Sequence, residues 1–419
     1  MPLTPADRSK ILNSIKKLVP ERHINVIDPN QDYSRWTALV EQRQSDLIGT
    51  QNDKAFESGV SELLTVLGSS HTAFFHRNGN NVPTPHAINA TLRSIDTSEG
   101  KRWMFLDVIE DGPAFQAGIR PGELLLAVDS KPINPPVQPT FRIGAVHQLE
   151  IGALAGDRRE VSLTVPNRAA KDRPPMIEPR SLSHRMIGSD IGYVRVATFP
   201  GSIGQSFARE LDGTIQELKK NGAQRLIVDI RGNMGGGLGS LRLMSYLCAG
   251  KVEIGHSLTR KRHSRGYQKE SLARIGKIPA SKLDLILMAL RFRFIQKDRS
   301  MVLVTEGLGP QPFHKRIVIL INEHSRSAAE MVASFAKENH LATLVGTKTA
   351  GEVLGGANFR LASGYQLRMP VAGWYTWEGQ CIEGKGVEPD VSLEILPEAL
   401  ARGVDNQLVT AIDTVRELN

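Results

Sequence analysis

Residues 316–337 read RIVILINEHSRSAAEMVASFAK, and this stretch decides the fold class of the 419-residue chain. A run of Ile, Val and Leu is followed by a polar turn and then by apolar residues at helical spacing. The same order occurs upstream, where GYVRVATF (192–199) precedes a helix with one apolar face, and LIVDI (226–230) follows it. Strands that are apolar throughout and alternate with amphipathic helices predict a sheet buried on both faces, and therefore an α/β layered domain.

Ligands in such domains bind beyond the carboxyl ends of the strands, which directs attention to two strand-to-helix turns. The first turn is DIRGNMGGGLGSL (229–241). Its three successive glycines leave backbone amides unobstructed, as an oxyanion hole or a phosphate site requires. The lysine and hydroxyl of a phosphate-binding loop are missing from it. Close packing of strand against helix is the plain alternative explanation for the same glycines.

The second turn, INEHSRSAAEMVASF (321–335), puts Ser327 at the start of a helix. A serine in this position is commonly an N-cap, and Glu330, three residues later, is its usual capping-box partner. The position also suits a nucleophile, because the helix dipole and the free amides stabilise a developing oxyanion. Taken alone, the turn is compatible with both roles.

A helical unit is predicted at the N-terminus. Helices are expected near residues 5–18 and 33–47, and apolar residues recur at helical spacing in NDKAFESGVSELLTVLG (52–68) until a glycine ends the pattern. The next stretch, LGSSHTAFF (67–75), leaves His71 between this helix and an apolar run. His71 is either a buried histidine with satisfied hydrogen bonds or a general base whose partner lies far away in sequence.

Short β-like runs separated by Gly and Pro turns dominate residues 83–168, with one short helical stretch among them. Within this region VIEDGPAFQAGIRPGELLLAVDSKPI (108–133) resembles the core of a PDZ domain. The resemblance implies that an extended peptide is captured at a sheet edge, often with its terminal carboxylate held by backbone amides. The peptide-binding loop would precede the first paired strand, around HAINATL (86–92). A linker with Pro and Arg, PNRAAKDRPPMIEPR (166–180), follows.

The net charge of +8 is concentrated in one segment. Residues 258–299 hold twelve Lys or Arg and three acidic residues. Such a segment attracts nucleic acid, an anionic membrane or an acidic peptide, or is simply a solvated insertion. Nucleic acid is disfavoured as a partner because aromatic residues are sparse there. We expect instead an entrance that favours acidic groups or a C-terminal carboxylate.

Cysteine content and hydropathy patterning indicate the cellular compartment of the protein. Cys248 and Cys381 are the two cysteines, too few for a disulfide framework in a chain of this length, which fits a reducing environment. The first residues, MPLTPADRSKILNSIKK, contain no apolar signal region, and no run approaches the roughly 18 apolar residues of a membrane span. No metal cluster is found in the sequence. These features predict a cytoplasmic protein that uses neither a metal nor another cofactor.

Four motifs occur in order behind the PDZ-like segment: DIRGNMGG, INEHSRSAAE, LVGTKTAGEVLGG and IEGKGVEPDV. Together they resemble the S41 peptidase family, which includes the C-terminal processing (tail-specific) peptidases and the tricorn core protease. The resemblance covers roughly residues 60–395 and implies a multidomain α/β protein whose catalytic domain has crotonase/ClpP-like layers. The expected units are a helical N-terminal unit over 1–82, an inserted PDZ-like domain over 83–168, and a catalytic domain over 169–419 with a basic insertion at about 255–312.

The family resemblance also implies a nucleophile and an oxyanion hole. Ser327 matches the family's nucleophilic serine. The amides of Gly235, Gly236 and Ala328 match its oxyanion hole. Processing peptidases use a Ser-Lys dyad whose lysine follows the serine by about 25 residues, and this chain has Glu352 there. Lys348 is close by, but it aligns with a position that the family does not use for catalysis.

Tricorn-like members take the base instead from a histidine in an SH motif ahead of the PDZ segment, and orient it through a serine and a glutamate. Ser70 and His71 match that motif, and Glu383, in CIEGKGVEPD, matches the glutamate. The resemblance therefore implies that His71 takes the proton of Ser327, while Glu383 orients the imidazole ring through the Ser70 hydroxyl. Their separation in sequence is no objection, because such constellations are defined by geometry.

These observations predict a serine endopeptidase that hydrolyses peptides or unfolded protein segments, with PDZ-assisted capture of the substrate at its C-terminus. One alternative is a non-catalytic peptide- or ligand-binding protein on the same scaffold, against which the intact Ser327 and His71 argue. Another is an acyl-CoA enzyme of the related crotonase-like fold, which the PDZ-like segment and the serine at the second turn disfavour. An oligomer of identical chains is left open.

Overall fold

The computed structural model describes residues 2–28, 31–168, 175–201, 203–279, 281–290 and 300–418. Parts of two predicted segments, the linker over 166–180 and the basic stretch over 258–299, lie outside these described residues. Within the ranges that are described, no helix is both long and apolar enough to cross a membrane.

The N-terminal unit comprises α1 (Pro5–Arg22), α2 (Ser34–Ile48), α3 (Asp53–Thr65) and the strand β1 (Ala73–His76). The Thr4 side chain accepts a hydrogen bond from Asp7 N and caps α1, and the Asn52 side chain caps α3 at Ala55 N. The apolar faces of the three helices share one buried core. Beyond α3, Gly68 has φ +61°, which turns the chain out of the helical unit. The three predicted helices are confirmed.

The β-rich unit follows with β2 (Asn81–Pro83), α4 (Thr84–Ile88), β3 (Ala90–Thr97), β4 (Gly100–Val108), α5 (Pro113–Gln116), β5 (Leu124–Val128), β6 (Lys131–Pro132), β7 (Thr140–Arg142), β8 (Val146–Gly152) and β9 (Arg158–Thr164). Five strands form an antiparallel sheet in the order β3-β4-β5-β8-β9, and β6 pairs with β5. One face of this sheet covers a core that includes Phe105 and Phe141. The predicted strands and the short helix between them are confirmed.

The structure corrects the expected peptide-binding loop around residues 86–92. Thr84–Ile88 form α4, and β3 begins two residues later. β3 is an edge strand of its sheet, but its Leu92 carbonyl accepts a hydrogen bond from His324 Nε2 at 3.1 Å. A peptide that adds to this edge must therefore displace His324.

The α/β unit begins with β10 (Leu182–Ile187), β11 (Ile191–Val196), α6 (Gln205–Lys220), β12 (Arg225–Asp229) and α7 (Gly239–Leu247). It continues with β13 (Glu253–Thr259), α8 (Arg260–Ser264), β14 (Ala273–Ile275), α9 (Lys282–Leu290) and β15 (Met301–Val304). It ends with β16 (Ile317–Ile321), α10 (Ala328–Glu338), β17 (Thr343–Gly346), β18 (Gly355–Arg360), β19 (Tyr365–Thr376), β20 (Val391–Ser392), α11 (Pro397–Ala401) and α12 (Asn406–Glu417).

The main sheet of this unit has the order β10-β11-β12-β16-β17-β20 and is parallel from β11 onward. Helices α6, α7 and α10 pack on one face, and α12 packs on the other. Every residue of β16 is buried, because helices cover both sides of it. The prediction of a multidomain α/β protein is confirmed.

A second sheet, with the order β1-β19-β13-β15-β14 and with β18 paired to β19, joins the helical unit to the α/β unit. Three of its strands, β13, β14 and β15, lie almost entirely within residues 255–312, which are predicted from the sequence to be a basic insertion. Leu258 and Val302 of these strands are fully buried. Those strands are therefore part of the core, and the expected insertion boundaries are too wide.

The expected entrance role of the basic segment is not supported at Arg260. Its guanidinium lies 4.9 Å from the centre of the Tyr33 ring and donates a hydrogen bond to the Pro20 carbonyl. This cation is engaged in packing α8 against the helical unit.

Asp107, at the end of β4, joins the β-rich unit to the α/β unit. Its carboxylate accepts hydrogen bonds from Thr91 Oγ1 and, across the interface, from Asn322 Nδ2 at 3.0 Å. A Cβ placed on Gly232 would lie 3.0 Å from the same carboxyl group. The glycine-rich turn after β12 is thus packed directly against a buried acid of the β-rich unit.

Candidate active site

Ser327 lies between β16 and α10 with φ 53° and ψ −117°, a conformation that costs a non-glycine residue about 1–3 kcal/mol. An N-cap serine ordinarily has extended backbone angles with negative φ, so capping alone does not explain this geometry. The Ser327 amide donates to the Glu352 carbonyl at 2.9 Å and lies 3.1 Å from the Glu330 carboxylate. These contacts hold the strained backbone in place.

Glu330 is fully buried in the first turn of α10 and organises the surrounding backbone. Besides the Ser327 amide, its carboxylate accepts hydrogen bonds from Gly351 N at 2.6 Å, Glu352 N at 2.8 Å and Thr349 Oγ1 at 2.7 Å. Burial raises the pKa of Glu330, and these four donors oppose the rise. The sequence interpretation gave Glu330 a capping role only, although the same carboxylate also fixes the 349–352 segment.

The glycine-rich turn meets Ser327 through Gly235. A Cβ on Gly235 would lie 2.6 Å from Ser327 Cβ and 2.9 Å from Ala328 N, so this position has room only for glycine. Its φ of +91° also favours glycine. The Gly235 amide, however, donates to Asn233 Oδ1 at 2.7 Å. The amide of Gly235 is therefore already used within the turn.

The neighbouring amide of Gly236 is differently placed. Gly236 forms a parallel bridge with Phe199, in which Gly235 O and Gly237 N make the hydrogen bonds. In such a bridge the N–H of the central residue points away from the partner strand. In the part of the chain that the structure describes, neither Gly236 N nor Ala328 N has a hydrogen-bond acceptor. Of the three predicted amides, these two are open to an oxyanion.

The predicted base cluster is brought together although its members lie far apart in sequence. Ser70 Oγ lies 2.8 Å from His71 Nδ1, and Ser70 N donates to Glu383 Oε1 at 3.0 Å across a separation of 313 residues. The other carboxylate oxygen of Glu383 accepts from Val353 N at 2.7 Å. Only 6% of Glu383 is exposed, so its carboxyl group is held inside the protein.

The electrostatic surroundings keep His71 neutral. Burial lowers the pKa of His71 to about 4, and the positive charges of Arg368 and Arg326 add to the effect. Burial raises the pKa of Glu383, which hydrogen bonds from Ser70 partly oppose. At neutral pH the imidazole is therefore an unprotonated base.

The nucleophile and the base cluster meet through one short segment. Ser327 N bonds to the Glu352 carbonyl, and the next residue, Val353, bonds through its amide to Glu383. Among the described residues no hydrogen bond joins His71 to Ser327 in this state. The two groups are therefore held by the same segment, residues 352–353.

The residues that a Ser-Lys dyad would need are engaged elsewhere. The Lys348 amine lies 2.9 Å from the Glu388 carboxylate, with about half of its side chain exposed. Glu352, at the position of the family lysine, forms an ion pair with Arg326 at 2.9 Å. Both observations favour the histidine over a lysine as the base.

A buried ion cluster behind the glycine-rich turn was not anticipated from the sequence. The Asp229 carboxylate accepts from Arg231 and from the Tyr193 hydroxyl, each at 2.7 Å, and Arg231 also reaches Asp405 at 2.7 Å. Burial alone would raise the pKa of Asp229, but Arg231 and Arg195 hold it well below its usual range. The cluster anchors the start of the turn, and the DIR portion of the motif was the available signal for it.

The chain is similar in sequence to known peptidases. Residues 190–393 match the model of Peptidase family S41. The chain is 22% identical over 370 residues to carboxy-terminal processing protease CtpA of Bacillus subtilis, covering 87% of this chain and 69% of the relative. It is 23% identical over 415 residues to a tricorn protease homolog of Streptomyces coelicolor, covering 93% of this chain and 31% of the relative.

A solved structure has the same fold. The photosystem II D1 C-terminal processing protease superposes with a TM-score of 0.56 at 18% identity, covering 94% of this chain and 96% of that chain. Over residues 190–393 the α/β unit is similar in sequence to Peptidase family S41. Its class is that of a serine peptidase.

Proposed function

We propose that the chain is a serine peptidase with a tricorn-like Ser-His mechanism, in which Ser327 is the nucleophile and His71 the general base. The observation that carries the proposal is the joining of the strained Ser327 and the Ser70–His71–Glu383 cluster by residues 352–353. The substrates are peptide bonds in peptides or unfolded protein segments.

In the first half of the reaction His71 Nε2 accepts the hydroxyl proton of Ser327 while Oγ bonds to the substrate carbonyl carbon. The resulting oxyanion accepts hydrogen bonds from the amides of Gly236 and Ala328, at the N-terminus of α10. His71 then gives its proton to the leaving amine, the C–N bond breaks, and an acyl ester remains on Ser327. Water hydrolyses the ester, with His71 as base and then as acid, and the serine is regenerated.

Glu383 and Ser70 act by positioning His71. Nε2 must carry a free electron pair to act as the base, so the ring proton is on Nδ1. This N–H donates a hydrogen bond to Ser70 Oγ, 2.8 Å away. The Ser70 hydroxyl in turn interacts with the Glu383 carboxylate. This chain fixes the tautomer and stabilises the imidazolium that forms during the reaction.

The remaining parts of the functional interpretation rest on the sequence. The β-rich unit is proposed to be PDZ-like and the α/β layers crotonase-like, while the contribution of the β-rich unit to substrate capture depends on freeing the β3 edge from His324. A cytoplasmic location and an oligomer of identical chains stay predictions.

The proposal is tested by labelling with a fluorophosphonate serine probe. We expect the wild-type protein to be labelled, with the label located on Ser327 by mass spectrometry. Labelling should be lost in Ser327→Ala, fall at least about 100-fold in rate in His71→Ala, and persist in Lys348→Ala, the control. An unlabelled but folded wild type would favour the non-catalytic binding protein, and loss of labelling in Lys348→Ala alone would contradict the histidine base.

The pH dependence of labelling carries a second prediction. Since the pKa of free His71 is about 4, protonation should inactivate the base only as the pH falls through that value. We expect the labelling rate to be flat from about pH 5 upward and to drop below it, whereas an unperturbed histidine would lose activity below about pH 6.5. An acid limb at the higher value would show that water reaches the His71 imidazole and that burial does not lower its pKa.

A further inference from the structure

Arg368, in β19, is a cation for which the described residues provide no counter-ion. Within the described ranges its guanidinium has neither an ion pair nor a hydrogen bond, and burial lowers its pKa with no acidic group opposing the change. Other arginines near the site are paired: Arg326 with Glu352 at 2.9 Å and Arg93 with Glu323 at 2.6 Å. A half-buried guanidinium is costly to leave unpaired, so its position calls for an anion.

The location of Arg368 is next to the candidate active site. In the sheet it pairs with Ala73 of β1, two residues after His71, and with Asn358 of β18. Its Nε and Nη2 atoms lie 3.2 and 3.3 Å from where a Cβ on Gly356 would be, so the absence of a side chain at Gly356 leaves room for the guanidinium. Gly356 follows closely on the segment that contacts both Ser327 and Glu383.

A second group in the same surroundings also lacks a partner. His86 Nδ1, in α4, is buried and has no hydrogen-bond partner in the described part of the chain. Both His86 and His71 experience the positive charges of Arg326 and Arg368. The positive charges near the base are therefore those of Arg368 and Arg326, and of the two, within the described residues, only Arg326 has an acid opposite it.

We propose that Arg368 binds a carboxylate of the substrate, so that the enzyme prefers peptides with an acidic group close to the scissile bond. The carboxylate is either an acidic side chain or the free C-terminus of the peptide. A guanidinium binds a carboxylate through two parallel hydrogen bonds, which provides orientation as well as attraction. This inference rests on the proposed peptidase function and specifies the substrate of the same site.

Binding such a carboxylate also changes the base. The charged groups around His71 are Arg368, Arg326 with its partner Glu352, and Glu383. A substrate carboxylate that neutralises the charge of Arg368 favours the protonated imidazole and raises the pKa of His71 toward the working pH. Acidic substrates should therefore show an acid limb of kcat at higher pH than the limb of kcat/KM, because kcat reports the complex and kcat/KM the free enzyme.

The test uses quenched fluorescent peptides that differ only in Glu or Gln at each of the three residues on either side of the cleaved bond, each with a free or an amidated C-terminus. We expect the wild-type kcat/KM to favour one acidic peptide by at least about 10-fold. The ratio of kcat/KM between the acidic and the neutral peptide should fall below about 2-fold in Arg368→Met. It should be unchanged in the control Arg360→Met, because Arg360 is exposed on the adjacent strand β18. Preference for an internal Glu in amidated peptides assigns a side chain, and dependence on the free C-terminus assigns the terminal carboxylate.

A second variant guards against misfolding of Arg368→Met. Gly356→Ala keeps the charge but places a methyl group against the guanidinium, and should reduce the acidic preference several-fold. Equal cleavage of Glu and Gln peptides at every position, or a preference unchanged in Arg368→Met, would overturn the inference. If the probe labels Ser327 of the wild-type protein but cleavage shows no preference for acidic peptides, only this inference fails. If the probe does not label the protein, the proposed function itself fails.

Discussion

Replacing Ser327 by alanine is expected to lower kcat by about 10⁶-fold while leaving the folded protein nearly as stable as the wild type. The hydroxyl is the only atom removed, and the backbone at this position is held through its amide by the Glu352 carbonyl and the Glu330 carboxylate. The measurement is peptide hydrolysis at saturating substrate, paired with urea unfolding. Ser334→Ala, a serine further along α10, is the matched control and should retain wild-type activity.

A third variant separates the chemical role of Ser327 from its strain. Ser327→Gly also removes the nucleophile but relieves the positive φ, so its free energy of unfolding should rise by about 1 kcal/mol above that of Ser327→Ala. Residual hydrolysis within about 100-fold of the wild type in Ser327→Ala would assign the nucleophile to another residue. The double variant with His71→Ala should be no slower than Ser327→Ala alone, because the two residues act as a unit.

Replacing Glu330 by alanine is expected to reduce the free energy of unfolding by about 3–5 kcal/mol, the largest stability loss that we predict. The substitution leaves three donors without their acceptor, namely the amides of Gly351 and Glu352 and the Thr349 hydroxyl, while the Ser327 amide keeps the Glu352 carbonyl. It also frees the strained turn at Ser327, so the labelling rate of any remaining folded protein should drop. Urea denaturation measures the first effect and probe labelling the second.

The control for this substitution is Glu417→Ala, an exposed acid near the end of α12, which should change stability by less than about 0.5 kcal/mol. A loss below about 1 kcal/mol in Glu330→Ala would mean that water or a rearranged loop satisfies these three donors. Retained labelling together with the full stability loss would separate the architectural contribution of Glu330 from any influence on the nucleophile.

The core of the α/β unit was predictable because its strands have an unusual requirement. Continuous apolar runs such as 226–228 and 317–321 are stable only when helices cover both faces of the sheet. Strands β13 to β15 were not recognised, because charged residues dominate their surroundings in sequence. β13 pairs with β19, more than a hundred residues away, and β15 pairs with β13, and no local pattern encodes these pairings.

The candidate site also has parts that the sequence predicted and parts that only the structure reveals. Motifs gave the positions of Ser327, His71 and Glu383, and the structure brings Glu383 to the histidine through Ser70. The oxyanion amides could be assigned only from the structure, because it shows that Gly235 N already donates a hydrogen bond to the Asn233 side chain. Arg368 has no motif at all, since its missing counter-ion is a property of three-dimensional surroundings.

The pairing of β1 with β19 also determines when this chain can become active during its own synthesis. His71 is synthesised early, but Glu383, which we propose orients it, follows 313 residues after Ser70, and β19 must be synthesised before β1 can pair with it. Until then a growing chain has an exposed serine and histidine with nothing to align them. On the proposed mechanism, the growing chain is therefore inert toward itself and toward neighbouring unfinished chains until the segment that holds Glu383 has been synthesised.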